Sequence, residues 1–219
     1  MSAGLSWQVH KWTDFTYPLW YQALDIEQHI KKYAPQNRFN KQDFAETNKA
    51  QHIKGFTDIN LAIHQHGQGL DKISYPGRAG MEKPLLTQSE VIHLTDVAKL
   101  IDKLGLIWLI NLVPFIACCT YIRHKKPRPP SLRVALVLSL GLLASVFLVL
   151  ASFGFTKVFY YLHQVVFPAN HQWFFYYQDS LMSTLMKAPD LFAAIGLTLC
   201  LLALIIYVFI YRLFYRLGN

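Results

Sequence analysis

The sequence predicts an α-helical membrane protein, with three transmembrane helices and a small extracytoplasmic cap. Hydrophobic residues make up 53% of its 219 residues and charged residues 16%, whereas ordinary soluble domains carry about 25% charged residues. The most hydrophobic parts of the chain are three uncharged spans, at residues 104–122, 134–156 and 191–211. This composition excludes a disordered chain, and three cysteines are too few for a disulfide-built secreted scaffold. The clustering of the apolar residues excludes a soluble cytosolic enzyme.

Residues 1–86 are predicted to form the extracytoplasmic cap, a small folded unit. Asn40 can cap a helix over residues 41–54, and the apolar cluster at residues 17–26 fits a helix or a strand equally well. Residues 75–84 contain two prolines and two glycines, so we expect a loop there.

Residues 87–123 are predicted to form a juxtamembrane helix that continues as the first transmembrane helix. Thr87 and Glu90 have the spacing of a capping box, so the helix begins just after Thr87. It enters an uncharged span at residues 104–122, whose length suits a hydrocarbon core about 30 Å thick. Pro114 is tolerated in a membrane helix and is expected to kink it.

The remaining segments alternate between polar connections and apolar spans. In order, they are predicted to be a cytoplasmic basic loop at 124–133, a transmembrane helix at 134–156, an outer interfacial segment at 157–187, and a transmembrane helix with a cytoplasmic tail at 188–219. The last two helices contain uncharged runs at 134–156 and 191–211, each long enough to cross a bilayer.

The positive charge indicates the orientation in the membrane. Residues 123–133 hold five basic residues and no acidic one, whereas residues 1–105 are nearly balanced. Because short basic loops face the cytoplasm, we expect residues 123–133 and the C-terminus to be cytoplasmic. Residues 1–105 and 157–187 then lie outside, and no nucleic-acid partner is expected. The polar residues 1–105 must then be exported, yet residues 1–12 lack the apolar run of a signal peptide. We therefore also expect a further transmembrane helix upstream.

The helix before the first span carries a polar face. Glu90, His93, Asp96 and Val97 lie on one side of it, at spacings of three, six and seven residues. One interpretation is structural: Glu90 is a cap, and His93 and Asp96 are solvated. The other is an imidazole oriented by a carboxylate, which fixes its tautomer and makes the other ring nitrogen a better base.

A second histidine, His163, lies in an aromatic-rich segment that is typical of a membrane interface. That setting alone could account for His163 and His171 as interfacial polar groups. However, His93 lies 30 residues before Arg123, and His163 lies 30 residues after Arg133. Two continuous helices rising about 1.5 Å per residue would bring both to the same height, about 45 Å away. These equal distances along the two helices therefore predict that His93 and His163 form a general acid–base pair at the outer surface.

Metal chemistry is the weaker interpretation of these residues. Glu90-x-x-His93 resembles half of a di-iron helix motif, but the later membrane part offers just Asp179 and Asp190 as further carboxylates. His64 and His66 could bind a metal from a strand, but no third ligand is apparent.

Nucleophilic residues give no stronger signal. The sequence contains no Gly-x-Ser-x-Gly elbow and no phosphate-binding loop. Its cysteines, Cys118, Cys119 and Cys200, lie inside apolar spans and are expected to be packing residues. The histidines therefore act on a substrate that brings its own nucleophile, or on water.

The two histidine segments resemble the signature stretches of a bacterial integral membrane family that includes the lipoprotein intramolecular transacylase. The matching residues are Glu90-x-x-His93-x-x-Asp96-Val97 and Phe159-x-x-x-His163-x-x-x-Phe167-x-x-Asn170-x-x-Trp173. Pro189-Asp-Leu-Phe192 is similar to the start of the family's last helix. The resemblance covers roughly residues 15–215. It implies four membrane helices under an extracellular cap, in the bacterial inner membrane, with catalytic histidines at His93 and His163.

The resemblance also implies a reaction. The sn-2 acyl chain of a diacylglyceryl lipoprotein moves to the free amine of its N-terminal cysteine, giving the lyso-form; no metal or cofactor is required, and the partners are this substrate and membrane lipid. We assign His93, oriented by Asp96, as the base and His163 as the acid, with the reverse assignment left open. Asn170 or Trp173 would donate to the oxyanion. Glu90 and Phe167 are supporting residues.

Two other functions remain open at this point. One is a different membrane acyltransferase or a lipase that uses water. The other is a non-enzymatic assembly or binding subunit, which predicts that changes in the cap abolish function while changes of His93 and His163 do not.

Overall fold

The chain folds into ten α-helices and one small hairpin within the residues that the computed structural model describes, 1–127 and 130–218. Arg128 of the predicted basic loop lies outside the described residues. The helices are α1 Ser2–Trp12, α2 Tyr17–Ala23, α3 Ile26–Tyr33, α4 Lys49–Ile63, α5 Gln88–Ile110, α6 Leu112–Lys125, α7 Leu132–Phe153, α8 Phe155–Val166, α9 Leu181–Met186 and α10 Asp190–Gly218. The strands are β1 Ser74–Pro76 and β2 Glu82–Pro84.

In the described part of the chain, three helical stretches are long and apolar enough to cross a membrane: the run formed by α5 and α6, then α7, then α10. These are the three predicted spans. The first is interrupted at Asn111, one turn before Pro114. Because proline lacks an N–H and its ring clashes with the carbonyl four residues earlier, this break fits the kink that we expected.

The second span differs from the prediction. We assumed one continuous helix through residue 156 toward His163, but α7 ends at Phe153 and α8 begins at Phe155. Gly154 between them has φ +83° and ψ 130°, a conformation that side chains other than glycine's strongly disfavour. The chain therefore turns at Gly154 and restarts as a second helix.

Helices α2 to α4 and the hairpin form a compact unit over residues 14–86. We keep the name cap for this unit, which is shorter than the predicted range of 1–86 because α1 is not part of it. Its core contains Tyr17 stacked on Phe56, with ring centroids 4.0 Å apart. Leu185 of α9 and Leu191 of α10 belong to the same buried cluster. The cap therefore shares its core with α9 and with the start of α10. Helix α1 instead packs along α10, where the Ser6 hydroxyl donates to the Leu199 carbonyl at 2.9 Å.

Two predictions inside the cap need correction, and one open alternative is resolved. The helix expected over residues 41–54 is a 3-10 turn at Gln42–Glu46, followed by α4. Asn48, not Asn40, caps α4, because the Gln51 side chain completes a capping box. Residues 17–26, left undecided between helix and strand, are mainly helical. The predicted loop at 75–84 contains the antiparallel hairpin of β1 and β2.

Candidate active site

The start of α5 fixes one side of the site. The predicted capping box is present: Thr87 accepts from the Glu90 backbone N–H, and the Glu90 carboxylate accepts from the Thr87 N–H at 2.5 Å. Glu90 is fully buried, and its other oxygen accepts from the Ser180 hydroxyl at 2.5 Å and the Met182 N–H at 3.1 Å. Glu90 therefore ties the beginning of α9 to α5.

The two histidines predicted to form a pair lie close together. The ring centroids of His93 on α5 and His163 on α8 lie 6.0 Å apart, with their planes 32° from parallel. His93 is 7% exposed and His163 is half-buried. The predicted proximity is confirmed, although the break at Gly154 contradicts the continuous second helix that we assumed.

The hydrogen bond of His163 determines which of its nitrogens is free. Its Nδ1 lies 2.7 Å from the carbonyl oxygen of Phe159. A carbonyl oxygen can only accept, so Nδ1 carries the proton, and Nε2 of the neutral ring keeps its lone pair. Burial lowers the pKa of His163, while the Phe159 carbonyl partly opposes that shift. His163 is therefore neutral at neutral pH, with one nitrogen available as a base.

Asp96 does not orient His93. Its carboxylate oxygens lie 2.5 Å from Nδ1 of His171 and 3.3 Å from Nζ of Lys99. Among the described residues, no hydrogen bond joins Asp96 to His93. Helical spacing predicted that Asp96 lies close to His93. The hydrogen-bond partner of Asp96, however, comes from a segment 75 residues further along the chain, and the sequence analysis did not predict it.

Aromatic rings enclose both imidazoles. Phe167 lies 5.0 Å from His93 and 5.2 Å from His163, between ring centroids. Phe175 lies 5.8 Å from His93, and Trp173 lies 5.3 Å from His163. The rings exclude water and lower the local dielectric, which strengthens electrostatic interactions with a bound substrate.

A cavity of about 410 Å³ opens beside the two histidines, within the usual size range of small-molecule sites. Its apolar walls come from α4, α5, α8, α9 and α10, and from the segments between the last three of these helices. Its lining includes His93, Val97, Leu100, Phe159, His163, Phe167, Trp173, Phe175, Ser183 and Phe192. Ser183 is a polar lining residue that the sequence analysis did not identify.

The other predicted site residues divide into two groups. Phe167 and Trp173 line the cavity. Glu90, Asp96 and Asn170 are not among its described lining residues, and Asn170 is exposed. Trp173 therefore remains the better of the two predicted oxyanion donors, and Glu90 has a supporting position.

His64 and His66, the alternative metal ligands considered above, form hydrogen bonds with other side chains and with the backbone. His64 accepts from the Trp7 indole N–H at 3.2 Å through Nε2, and its Nδ1 bonds to the Asn60 carbonyl. His66 instead pairs with Asp102 at 2.8 Å. In the part of the chain that the structure describes, no group of three His, Cys, Asp or Glu side chains is placed to hold a metal ion.

Comparison with models of protein families gives a match. The model of a family described as the lipoprotein intramolecular transacylase Lit matches residues 36–192. No curated protein and no solved structure matches the chain. The matched residues cover most of the chain and include both histidine segments. The chain therefore belongs to the lipoprotein intramolecular transacylase Lit family.

Proposed function

We propose that this protein is a lipoprotein intramolecular transacylase of the bacterial cell membrane. It moves the sn-2 acyl chain of a diacylglyceryl lipoprotein from the glycerol oxygen to the amine of the N-terminal cysteine. The observation that carries the proposal is the pair of His93 and His163, 6.0 Å apart on an otherwise largely apolar cavity. The apolar lining suits an acyl chain, and the imidazoles suit the proton transfers that the reaction needs.

The reaction needs no nucleophile from the protein, because the substrate carries both the amine and the ester. Holding two reacting groups together in the right geometry accounts for a large part of the acceleration in reactions of this type. The cavity walls supply this positioning by confining the acyl chain beside the histidines.

The hydrogen bonds favour His163 as the base, the reverse of our first assignment. Because Nδ1 of His163 donates to the Phe159 carbonyl, its Nε2 can accept the proton that the amine loses as the new C–N bond forms. The glycerol C–O bond then breaks. His93 gives a proton to the alkoxide, and the proton that His163 took from the amine replaces it on the imidazole pair. No net proton is therefore gained or lost.

Two further residues support these steps. The indole ring of Trp173 lies on the cavity wall beside His163, and its N–H is the proposed donor to the oxyanion of the tetrahedral intermediate. Glu90 keeps α9, and with it part of the cavity wall, against α5.

The reaction also requires an orientation. We propose that residues 1–105 and 157–187 lie outside and that residues 123–133 and the C-terminus lie in the cytoplasm, because basic residues cluster in residues 123–133 and in the C-terminal tail. The histidine pair then lies at the outer membrane surface, where the acyl chains of the substrate can enter from the lipid.

The test uses a bacterial strain that lacks N-acylation of lipoproteins. The chain is expressed in it, and the N-terminal peptide of a lipoprotein is measured by mass spectrometry. We expect N-acyl, monoacylglyceryl cysteine with the parent chain and unchanged diacylglyceryl cysteine with His93→Ala or His163→Ala. His124→Ala, at an exposed histidine at the end of α6, is the control and keeps full activity.

Two results would contradict the proposal. Unchanged diacylglyceryl cysteine from the well-expressed parent chain rules out the transfer; free fatty acid without a change in the lipoprotein would then indicate a lipase. N-acylation that survives both histidine substitutions would remove the pair from the mechanism.

A further inference from the structure

The segment between α8 and α9 forms one wall of the cavity without regular secondary structure. We call residues 167–175 the aromatic strap, because its rings, Phe167, Trp173 and Phe175, pack on the two imidazoles. Its internal hydrogen bonds are a turn from His171 N–H to the Pro168 carbonyl and a bond from the Gln172 side chain to the Phe174 carbonyl. These bonds shape the strap but do not attach it to another element.

A hydrogen bond between Asp96 and His171 attaches the aromatic strap to α5. Nδ1 of His171 lies 2.5 Å from Oδ2 of Asp96. Among the described residues, this is the hydrogen bond that joins the strap to α5; the strap's other outside bond, from Phe167 N–H to the His163 carbonyl, continues α8. The Asp96 side chain is 8% exposed, so the carboxylate is held out of water at the edge of the site.

The position of this bond matters for the site. Asp96 lies three residues after His93, which is about one turn of α5. The bond therefore fastens the strap close to the height of the histidine pair. Since a misplacement of about 1 Å can cost a reaction about 100-fold, a loose strap would impair the site even with both imidazoles present.

We propose that Asp96 and His171 are a positioning pair, whose hydrogen bond holds the aromatic strap against α5 and so sets the cavity wall against which His93 and His163 pack. This inference rests on the proposed function for its effect on activity, but the placement of the strap can be measured without activity.

The experiment compares Asp96→Ala and His171→Ala with Asp96→Asn, which retains a side-chain oxygen that can accept from His171. Each is labelled with 5-fluorotryptophan, and the ¹⁹F resonance of residue 173 is assigned with Trp173→Phe. The kcat and KM of N-acylation are measured on the same samples. Lys99→Ala is the matched control, because Lys99 also contacts Asp96 but is 64% exposed.

We expect both alanine variants to shift or broaden the Trp173 resonance and leave the resonances of Trp7 and Trp20 unchanged. Their kcat falls about 10- to 100-fold, and KM changes less than kcat does, because a misplaced wall affects the geometry of the transition state most. Asp96→Asn and Lys99→Ala behave like the parent. The double alanine variant is no worse than either single one, because both remove the same interaction.

An unchanged Trp173 resonance in both alanine variants overturns the inference, and so do fully additive losses in the double variant. If the parent chain shows no N-acylation but the Trp173 resonance responds as expected, the proposed function fails and the positioning pair stands.

Discussion

His93 and His163 lie with their ring centroids 6.0 Å apart, although 70 residues separate them in the chain. Two imidazolium ions so close together repel each other. The pair is therefore expected to handle one proton at a time, which suits a reaction that takes a proton from an amine and returns one to an alkoxide.

The two histidines should therefore lose activity as a unit. We expect His93→Ala and His163→Ala each to lower kcat by about 10²- to 10⁴-fold, the usual contribution of acid–base help. The double variant should lose about as much as the worse single variant, because groups that act together give non-additive losses. Single-turnover rates with a purified diacylglyceryl lipopeptide measure this. Independent losses that multiply would contradict a shared proton path.

The topology can be tested with cysteine labelling. In a background with its native cysteines replaced by alanine, Gln28→Cys on α3 should react with a membrane-impermeant maleimide in intact spheroplasts. Lys125→Cys at the end of α6 should react only after permeabilisation. Both positions are exposed. This result follows from the positive charge beside Lys125, and the opposite labelling pattern would invert the proposed orientation.

The membrane spans were predictable because an uncharged run of about 20 apolar residues has few alternatives to a helix across a bilayer. The capping box of Thr87 and Glu90 was equally predictable, since it depends on residues three positions apart. The helix predicted to begin after Asn40 was wrong because Asn40 and Asn48 are both possible N-caps in this region. Asn48 is the better cap, since Gln51 lies three residues later and Asn40 has no such partner.

The position of Asp96 was predictable, but its partner was not. Helical periodicity places Asp96 beside His93, whereas the bond to His171 depends on the path of a non-helical segment 75 residues away. The bend at Gly154 was missed as well, because a single glycine in an apolar run is compatible with an unbroken membrane helix. Residue spacing thus predicted that His93 and His163 lie close together, whereas the hydrogen bonds around them depend on long-range packing.

Glu90 is predicted to support the fold rather than the chemistry. Glu90→Ala leaves the Thr87 and Met182 N–H groups and the Ser180 hydroxyl without their acceptor. Since an unsatisfied buried polar group costs about 1–3 kcal/mol, we expect a clearly lower unfolding temperature in detergent. Glu27→Ala, which removes an exposed pair with Lys31, is the control and should have little effect. An unchanged melting curve for Glu90→Ala would contradict this role.

Val97 should affect which acyl chains are accepted. It lines the cavity on α5, four residues after His93 and on the same face. Val97→Trp fills space there, so we expect the N-acyl product to shift toward shorter chains when lipoproteins with mixed sn-2 chains are supplied. Mass spectra of the product give the distribution. Val137→Trp, at a position 64% exposed on α7, is the control, and an identical shift with it would argue against a chain-binding cavity.

The cap should lose stability in mild acid because of His52. This side chain is 2% exposed, and its two nitrogens bond to the Tyr21 hydroxyl and the Thr47 hydroxyl, both at 2.7 Å. Burial lowers its pKa to about 4, whereas an unfolded chain protonates histidine near pH 6.5. Between these values the unfolded state binds more protons, so the free energy of unfolding falls as the pH falls from about 6.5 to 4. Thermal melts followed by intrinsic fluorescence should show this slope. His52→Gln should be less stable at pH 7 and have a shallower slope, and His124→Gln should keep the parent slope; equal slopes in all three would exclude His52 as its source.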